Sequence, residues 1–305
     1  MASTREAYGK ALVELGQEKD NVIVLDADLT KSTKTIDFKK AFSDRHFNLG
    51  IAEANMMGVA AGLASSGKVV YASSFAMFAA GRAFEVIRNS ICYPSLNVKV
   101  CATHAGISVG EDGASHQAIE DIAIMRAIPN MKVFVPSDEF ETRAIIKAVY
   151  DISGPCYVRM GRSNVEAVFD ENYKYQFGKG IVLKTGVKLA IIATGLMVQK
   201  ALKVSTMLKN YDPTIVNINT IKPIDEELLV DLAKHHDIIV SLEEHSIIGG
   251  LGSAISECLA PYGLTCKHYS LGMRDVFGRS GKPKDLFKYY GLDEESIAKY
   301  IDELR

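Results

Sequence analysis

No apolar run in this 305-residue sequence approaches the ~20 residues that a membrane-spanning helix needs, so no membrane association is expected. Residues 1–18 mix charges every few positions and lack the apolar centre of a secretory signal. Charge of one sign is not in excess either: the net charge is -2, and the 35 lysines and arginines are dispersed. That removes the electrostatic footprint of a nucleic-acid binder, while a few placed arginines would still suffice for small anions. The five cysteines (Cys92, Cys101, Cys156, Cys258, Cys266) contain no C-x-x-C pair and mostly sit in apolar, strand-like or helical stretches. They read as reduced packing residues of a cytoplasmic protein rather than as disulfides. No His, Cys and carboxylate set has metal-ligand spacing, because His104 and His116 stand 12 positions apart in a glycine-bent segment. Internal repeats and low-complexity tracts are also missing, which excludes a solenoid or a disordered tail as the organising feature.

What is present is an alternation. Short Val- and Ile-rich runs at 22–28, 69–75, 98–103, 133–138 and 156–160 read as buried strands. Helical segments are predicted between them at 4–18, 52–65, 82–92, 117–126 and 139–150. Near-continuous apolar strands separated by helices imply a parallel sheet covered on both faces. From 162 to 188 the chain turns polar and loses its period, as a linker would. Strands are then predicted at 189–194, 214–219, 237–242 and 265–270, with helices at 197–209, 225–235, 249–259, 283–290 and 293–304. The expected fold is α/β in two domains, each a mostly parallel sheet covered by helices: residues 1–170, a linker at 171–187, and residues 188–305.

Ligands of open parallel sheets bind beyond the carboxyl ends of the strands. The densest polar segment, Thr103-His104-Ala105-Gly106-Ile107-Ser108-Val109-Gly110-Glu111-Asp112-Gly113-Ala114-Ser115-His116-Gln117, follows the third predicted strand. Its two histidines and two carboxylates suit proton transfer or hydroxyl binding, although Glu111 and Asp112 also fit a solvated turn and His116 a helix-first-turn residue. Arg159 and Arg162 follow the fifth strand and are good donors to a phosphate or carboxylate. A second cluster, His46-Phe47-Asn48-Leu49-Gly50-Ile51-Ala52-Glu53, places one carboxylate at the start of a helix of small apolar residues. Glu53 would be at least partly buried there, unless it only complements the helix dipole. Phe75 and Phe78 would share one side if helical, as core or as a platform. Gly249-Gly250-Leu251-Gly252 opens a helix but lacks the full phosphate-loop pattern, so a packing turn is expected.

Taken in order, these segments resemble the transketolase family over nearly the whole chain. The carrying residues are His46 through Glu53, Ser74-Phe75-Ala76-Met77-Phe78, and Thr103-His104 through Gly110-Glu111-Asp112-Gly113-Ala114-Ser115-His116-Gln117. Arg162-Ser163-Asn164, Thr220-Ile221-Lys222-Pro223-Ile224-Asp225 and Glu243-Glu244-His245 before the glycine turn add to them. The match is to that family's pyrimidine-binding and C-terminal domains. No Gly-Asp-Gly is found, the mark of the family's diphosphate- and Mg2+-binding domain. The resemblance therefore implies the C-terminal subunit of a split transketolase. Its thiamine diphosphate and Mg2+ would be held mainly by an N-terminal partner subunit in an α2β2 assembly, with a site shared between chains.

By position, the resemblance implies that Glu53 hydrogen-bonds the aminopyrimidine ring and that Phe78, with Phe75 beside it, lies under that ring. It also implies that His104 and His116 face the substrate, His116 as a proton-transfer group near the reacting hydroxyl. Asp112 would contact a sugar hydroxyl, and Arg5, Ser32 and Arg162 would grip the distal phosphate of a phosphorylated sugar. The expected reaction moves a two-carbon ketol unit from a ketose phosphate to an aldose phosphate. Alternatives are a deoxyxylulose-phosphate-synthase-like enzyme, the β-type subunit of a 2-oxo-acid dehydrogenase, and a non-catalytic structural subunit. The first normally begins its glycine loop with Arg-Ala-Gly where this chain has His104-Ala105-Gly106. No site residue is expected in the second domain.

Overall fold

The computed structural model describes residues 1–304. The strand Val22–Asp26 is buried along its whole length, as are Val69–Phe75 and Val98–Thr103. Burial on both faces suits their Val- and Ile-rich runs, each large aliphatic side chain contributing roughly 1.5–3 kcal/mol, and the one lysine among them, Lys99, gives its ammonium to the carbonyls of Ile152 and Gly154. These strands lie in a seven-stranded sheet whose order, from one edge, is Thr220–Lys222, Lys132–Phe134, Cys156–Arg159, Val98–Thr103, Val69–Phe75, Val22–Asp26 and His46–Asn48. All neighbours pair in parallel except the edge strand Thr220–Lys222, which runs antiparallel to Lys132–Phe134. The helix Thr4–Glu18 starts from a capping box, Ser3 accepting from the Glu6 N–H while the Glu6 carboxylate accepts from Ser3.

The second sheet has five strands in the order Lys267–Met273, His236–Ser246, Lys188–Ala193, Thr214–Asn217 and Ile181–Lys184. Only Ile181–Lys184 is antiparallel. That strand lies inside the stretch without period at 162–188. The spacing hid it because it is four residues long and not fully buried on either face. The strand Thr220–Lys222 was also unpredicted. It follows the predicted strand over Thr214–Asn217 and crosses to the first sheet, so the two halves share a sheet edge.

Most helices fall where the period put them, but Thr30–Thr33 and Ile36–Ala41 were unpredicted, the helix expected over 117–126 spans Asp121–Ala127, and a further difference concerns 82–92. Instead of a single helix over 82–92, the chain forms π-helical segments at Met77–Arg82 and Ile87–Cys92 around the short α-helix Phe84–Val86. Widened turns of this kind re-aim side chains without ending the helix, and they recur near functional sites.

The interface between the halves is polar as well as apolar. Glu141, on the helix Glu139–Asp151, is fully buried. Its carboxylate accepts from the Ser137 N–H and hydroxyl (2.8 and 2.7 Å), from Asn217 (2.9 and 3.1 Å), from Asn219 (2.8 Å) and from the Tyr173 hydroxyl (2.9 Å). Gln199, on the second domain, donates to the carbonyls of Ser137 and Glu166. Burial outweighs these donors and holds the Glu141 carboxyl above the ordinary range. Replacing Glu141 by Ala strands several buried donors at once, each worth about 1–3 kcal/mol, and the variant is expected to lose at least about 3 kcal/mol in urea unfolding. A loss under about 1 kcal/mol would mean that the donors find other partners.

Candidate active site

The five parallel strands from Cys156–Arg159 across to His46–Asn48 end at one edge of the sheet, and each delivers a residue of interest just beyond its carboxyl end. Val22–Asp26 leads to Ser32, His46–Asn48 to Glu53, Val69–Phe75 to Phe78, Val98–Thr103 to His104, and Cys156–Arg159 to Arg162. Arg5 comes from the first turn of the helix Thr4–Glu18.

Glu53 is the first residue of the helix Glu53–Ser65 and is 4% exposed. It makes no capping bond; its carboxylate faces Arg82 at 3.5 Å, a long ion pair on an otherwise buried anion. The Arg82 guanidinium also lies over the Phe78 ring, 4.8 Å from its centre. Arg82 was not expected at the site. Its only sequence signal was position, four residues after Phe78 on a predicted helix. Phe78 is half-buried and meets His116 edge-on, with ring centres 5.2 Å apart. Phe75 is buried, and His104 is stacked on it at 3.8 Å. Phe75 thus backs His104 and stands 5.9 Å from Phe78, which leaves Phe78 as the more accessible ring.

His104 has φ 58 and is 4% exposed, its Nδ1 paired with the Thr103 hydroxyl at 2.9 Å. Burial first, then the positive charges of Arg5 and Arg162, push its pKa down to about 3. His116 is half-buried, with Nδ1 against the Ser115 hydroxyl at 3.0 Å. Arg162 donates to the Val109 carbonyl at 2.6 Å and faces Glu111 at 3.5 Å. Arg5 reaches the Ser32 backbone carbonyl at 2.9 Å, and its Nε is buried without a partner among the described residues. Two guanidinium groups therefore bear on one neutral imidazole, a setting for a small anion. Asp112 is exposed at the tip of the glycine segment.

Arg159 is a correction to the sequence reading. It is buried, gives its Nε to both Asp121 oxygens (3.1 and 2.9 Å), and donates Nη2 to the carbonyls of Ala118 and Glu244. Its Nε and Nη2 thus serve the protein's own groups rather than a ligand. The Gly249–Gly252 turn forms a packing turn: the Glu243 carboxylate accepts from the N–H groups of Leu251 and Gly252, which a phosphate would otherwise use. His235 and His236 stand at a helix end away from these groups, bonded to carbonyls of their own helix.

The second domain also touches the site. Gln117 donates to the Gly110 carbonyl at 3.2 Å and to the Arg279 carbonyl at 2.9 Å, and the Ser280 hydroxyl donates to the Glu111 carbonyl at 2.6 Å. The Glu244 carboxylate accepts from the Ser108 N–H at 3.1 Å. Sequence reasoning assigned none of these, since nothing in their spacing relates residues 244 and 279 to residue 108.

Because the folded-state pKa of His104 lies below that of a free imidazole, its neutral ring contributes stability fully above about pH 6.5, and this is lost as pH falls toward 3. Nitrogen NMR is expected to show an uncharged His104 ring at pH 5. A titration midpoint near 6.5 would remove both the burial and the two arginines as its controlling influences.

Residues 1–167 match the family model for the transketolase pyrimidine binding domain, and residues 178–297 that for the transketolase C-terminal domain. A putative transketolase C-terminal section from Methanocaldococcus jannaschii is 54% identical over 303 residues, covering 98% of this chain and 95% of that protein. Transketolase of Homo sapiens is 36% identical over 306 residues, but the match spans only 48% of its length. A solved split gene transketolase, described as an inactive beta4 tetramer, superposes with a TM-score of 0.92 at 53% identity, covering 99% of this chain and 98% of that one. The chain belongs to the transketolase family, as the C-terminal section of a split transketolase.

Proposed function

We propose that this chain is the catalytic-face subunit of a two-chain thiamine-diphosphate enzyme that transfers a two-carbon ketol unit from a ketose phosphate to an aldose phosphate. The observation that supports this best is the convergence at one sheet edge of a buried carboxylate, a half-buried aromatic ring and two histidines, one of them in the field of two arginines. In this reading residues 1–170 supply the pyrimidine-binding domain and residues 188–305 the C-terminal domain, joined through 171–187.

The residues present fit the aminopyrimidine half of the cofactor. Glu53 offers a buried carboxylate whose ion pair with Arg82 is long, able to share a proton with a ring nitrogen, and Phe78, which shares Arg82 with it, offers an aromatic ring. When bound, thiamine diphosphate supplies the electron sink that carbon–carbon cleavage next to a carbonyl requires. The diphosphate and Mg2+ are assigned to an N-terminal partner subunit in an α2β2 assembly. His104, neutral at physiological pH, donates or accepts a hydrogen bond at a sugar oxygen, and His116 moves the proton of the reacting hydroxyl. Asp112 meets a further sugar hydroxyl. Arg5, with its buried Nε, joins Ser32 and Arg162 at the distal phosphate. No helix among the described residues is long and apolar enough to cross a membrane, and the reading places the enzyme in the cytoplasm.

The test is ketol transfer from xylulose 5-phosphate to ribose 5-phosphate with thiamine diphosphate and Mg2+, using the chain alone and mixed with a partner carrying the diphosphate-binding domain. Activity is expected only in the mixture, as the inactive tetramer of the related split gene transketolase suggests. Activity of the chain alone, or silence of the mixture, would refute the shared site. Glu53→Gln in the mixture should cut turnover by roughly 10²–10⁴-fold with an unchanged circular dichroism spectrum, and near-normal turnover would take Glu53 out of the reaction.

A further inference from the structure

We propose that Glu244, on the second domain, is a positioning residue for the 104–117 segment: it pins the backbone at Ser108 and thereby sets His104 and His116 at the sheet edge. The inference rests on the assignment of those histidines to the reaction just described.

The strand His236–Ser246 runs past the segment, and three consecutive side chains at its end have different work. Side chains alternate along a strand, so Glu243 and His245 share one side and Glu244 takes the other. Glu243 turns back into its own domain to hold the N–H groups of Leu251 and Gly252. His245 accepts from the Ile122 N–H at 3.1 Å, in the first turn of the helix Asp121–Ala127 that follows the segment. Glu244 alone reaches the segment itself, its carboxylate on the Ser108 N–H at 3.1 Å.

The fit there is close. Gly106 has φ 78, and a Cβ at that position would collide with the Glu244 carboxylate, so the backbone between His104 and Ser108 lies directly on it. Ile107, Ser108 and Val109 are fully buried beneath. The neck of the segment is closed independently, by the Gly106 N–H on the Ala118 carbonyl at 2.8 Å. Glu244 therefore fixes how the segment lies on the second domain rather than whether it loops at all. Arg159 steadies Glu244 from behind through its main-chain carbonyl at 3.2 Å. Burial raises the Glu244 carboxyl to about 7, as expected of a group enclosed by the interface rather than of a surface ion.

The test compares Glu244→Ala and Glu244→Gln in the full chain and in the reconstituted two-subunit enzyme. In the full chain, Glu244→Ala is expected to speed exchange of the Ser108 amide by about tenfold or more, and to raise the His104 midpoint by about one pH unit or more as the ring loosens from its site. Glu244→Gln keeps an acceptor oxygen of the same reach and should stay close to the parent in both readings. In the reconstituted enzyme the Ala variant should lose about tenfold or more in kcat, with KM for the sugars changed by less than about threefold. Unchanged Ser108 exchange and His104 titration in the Ala variant would overturn the proposal. If the Ala variant does not fold, Ser108→Pro deletes the donor while leaving Glu244 in place, and the same rise in the His104 midpoint is expected; a parent-like midpoint there would equally overturn the proposal. Both spectroscopic readings are independent of turnover. Their occurrence without ketol transfer would sustain the positioning and refute the proposed reaction, while ketol transfer without them would do the reverse.

Discussion

A single buried guanidinium organises the meeting of the two domains. Arg159 ends the strand Cys156–Arg159, and an arginine enclosed there without compensation would cost several kcal/mol. Its donors are met by both oxygens of Asp121, by the carbonyl of Ala118 and by the carbonyl of Glu244. Those partners belong to the exit of the histidine-bearing segment, the start of the following helix and the second domain. One cation thus ties three pieces of chain in one arrangement, and Tyr157 completes it by donating its hydroxyl to Asp121 at 2.7 Å. Charge that is costly to bury is used here for orientation, because Nε and Nη2 point in fixed directions and their acceptors come from separate pieces of chain.

Around that anchor the labour divides between the domains. The parallel sheet brings its strand ends to one edge and so gathers groups from five separate sequence segments. The loops and helix starts at that edge supply the groups with chemical character: Glu53, Phe78, His104, His116, Arg5 and Arg162. The second domain supplies restraint, through Glu244 on Ser108, the Arg279 carbonyl on Gln117 and Ser280 on the Glu111 carbonyl. The shared edge strand Thr220–Lys222 and the buried Glu141 network join the same two halves elsewhere along their interface. A neutral His104 follows from the same enclosure, since a third positive charge would have to sit beside two arginines with little water to screen it.

The sequence alone determined the class of fold, because strands buried on both faces must be continuously apolar and the helices between them must carry a period. Val69–Phe75 and Val98–Thr103 fall where that pattern put them. It also determined where to look for chemistry: polar residues in a glycine-containing loop after a buried strand, and one carboxylate opening a helix of small residues. The short strands His46–Asn48, Thr220–Lys222 and Ile181–Lys184 were not legible, since three or four residues carry no period and their pairing depends on distant chain.

Only the tertiary structure decided which polar residues are free. Arg159 and Arg162 look alike three positions apart, yet the first is consumed by Asp121 and the second keeps 39% of its side chain exposed. Phe75 and Phe78 look alike too, but His104 covers one and leaves the other accessible. Arg82 and Glu244 enter the site through contacts spanning 29 and 136 positions, with Glu53 and Ser108 respectively. Local patterning reports how a segment meets water, and that is written in its own residues. Which partner satisfies a buried charge depends on what folding brings alongside it, and no single segment contains that.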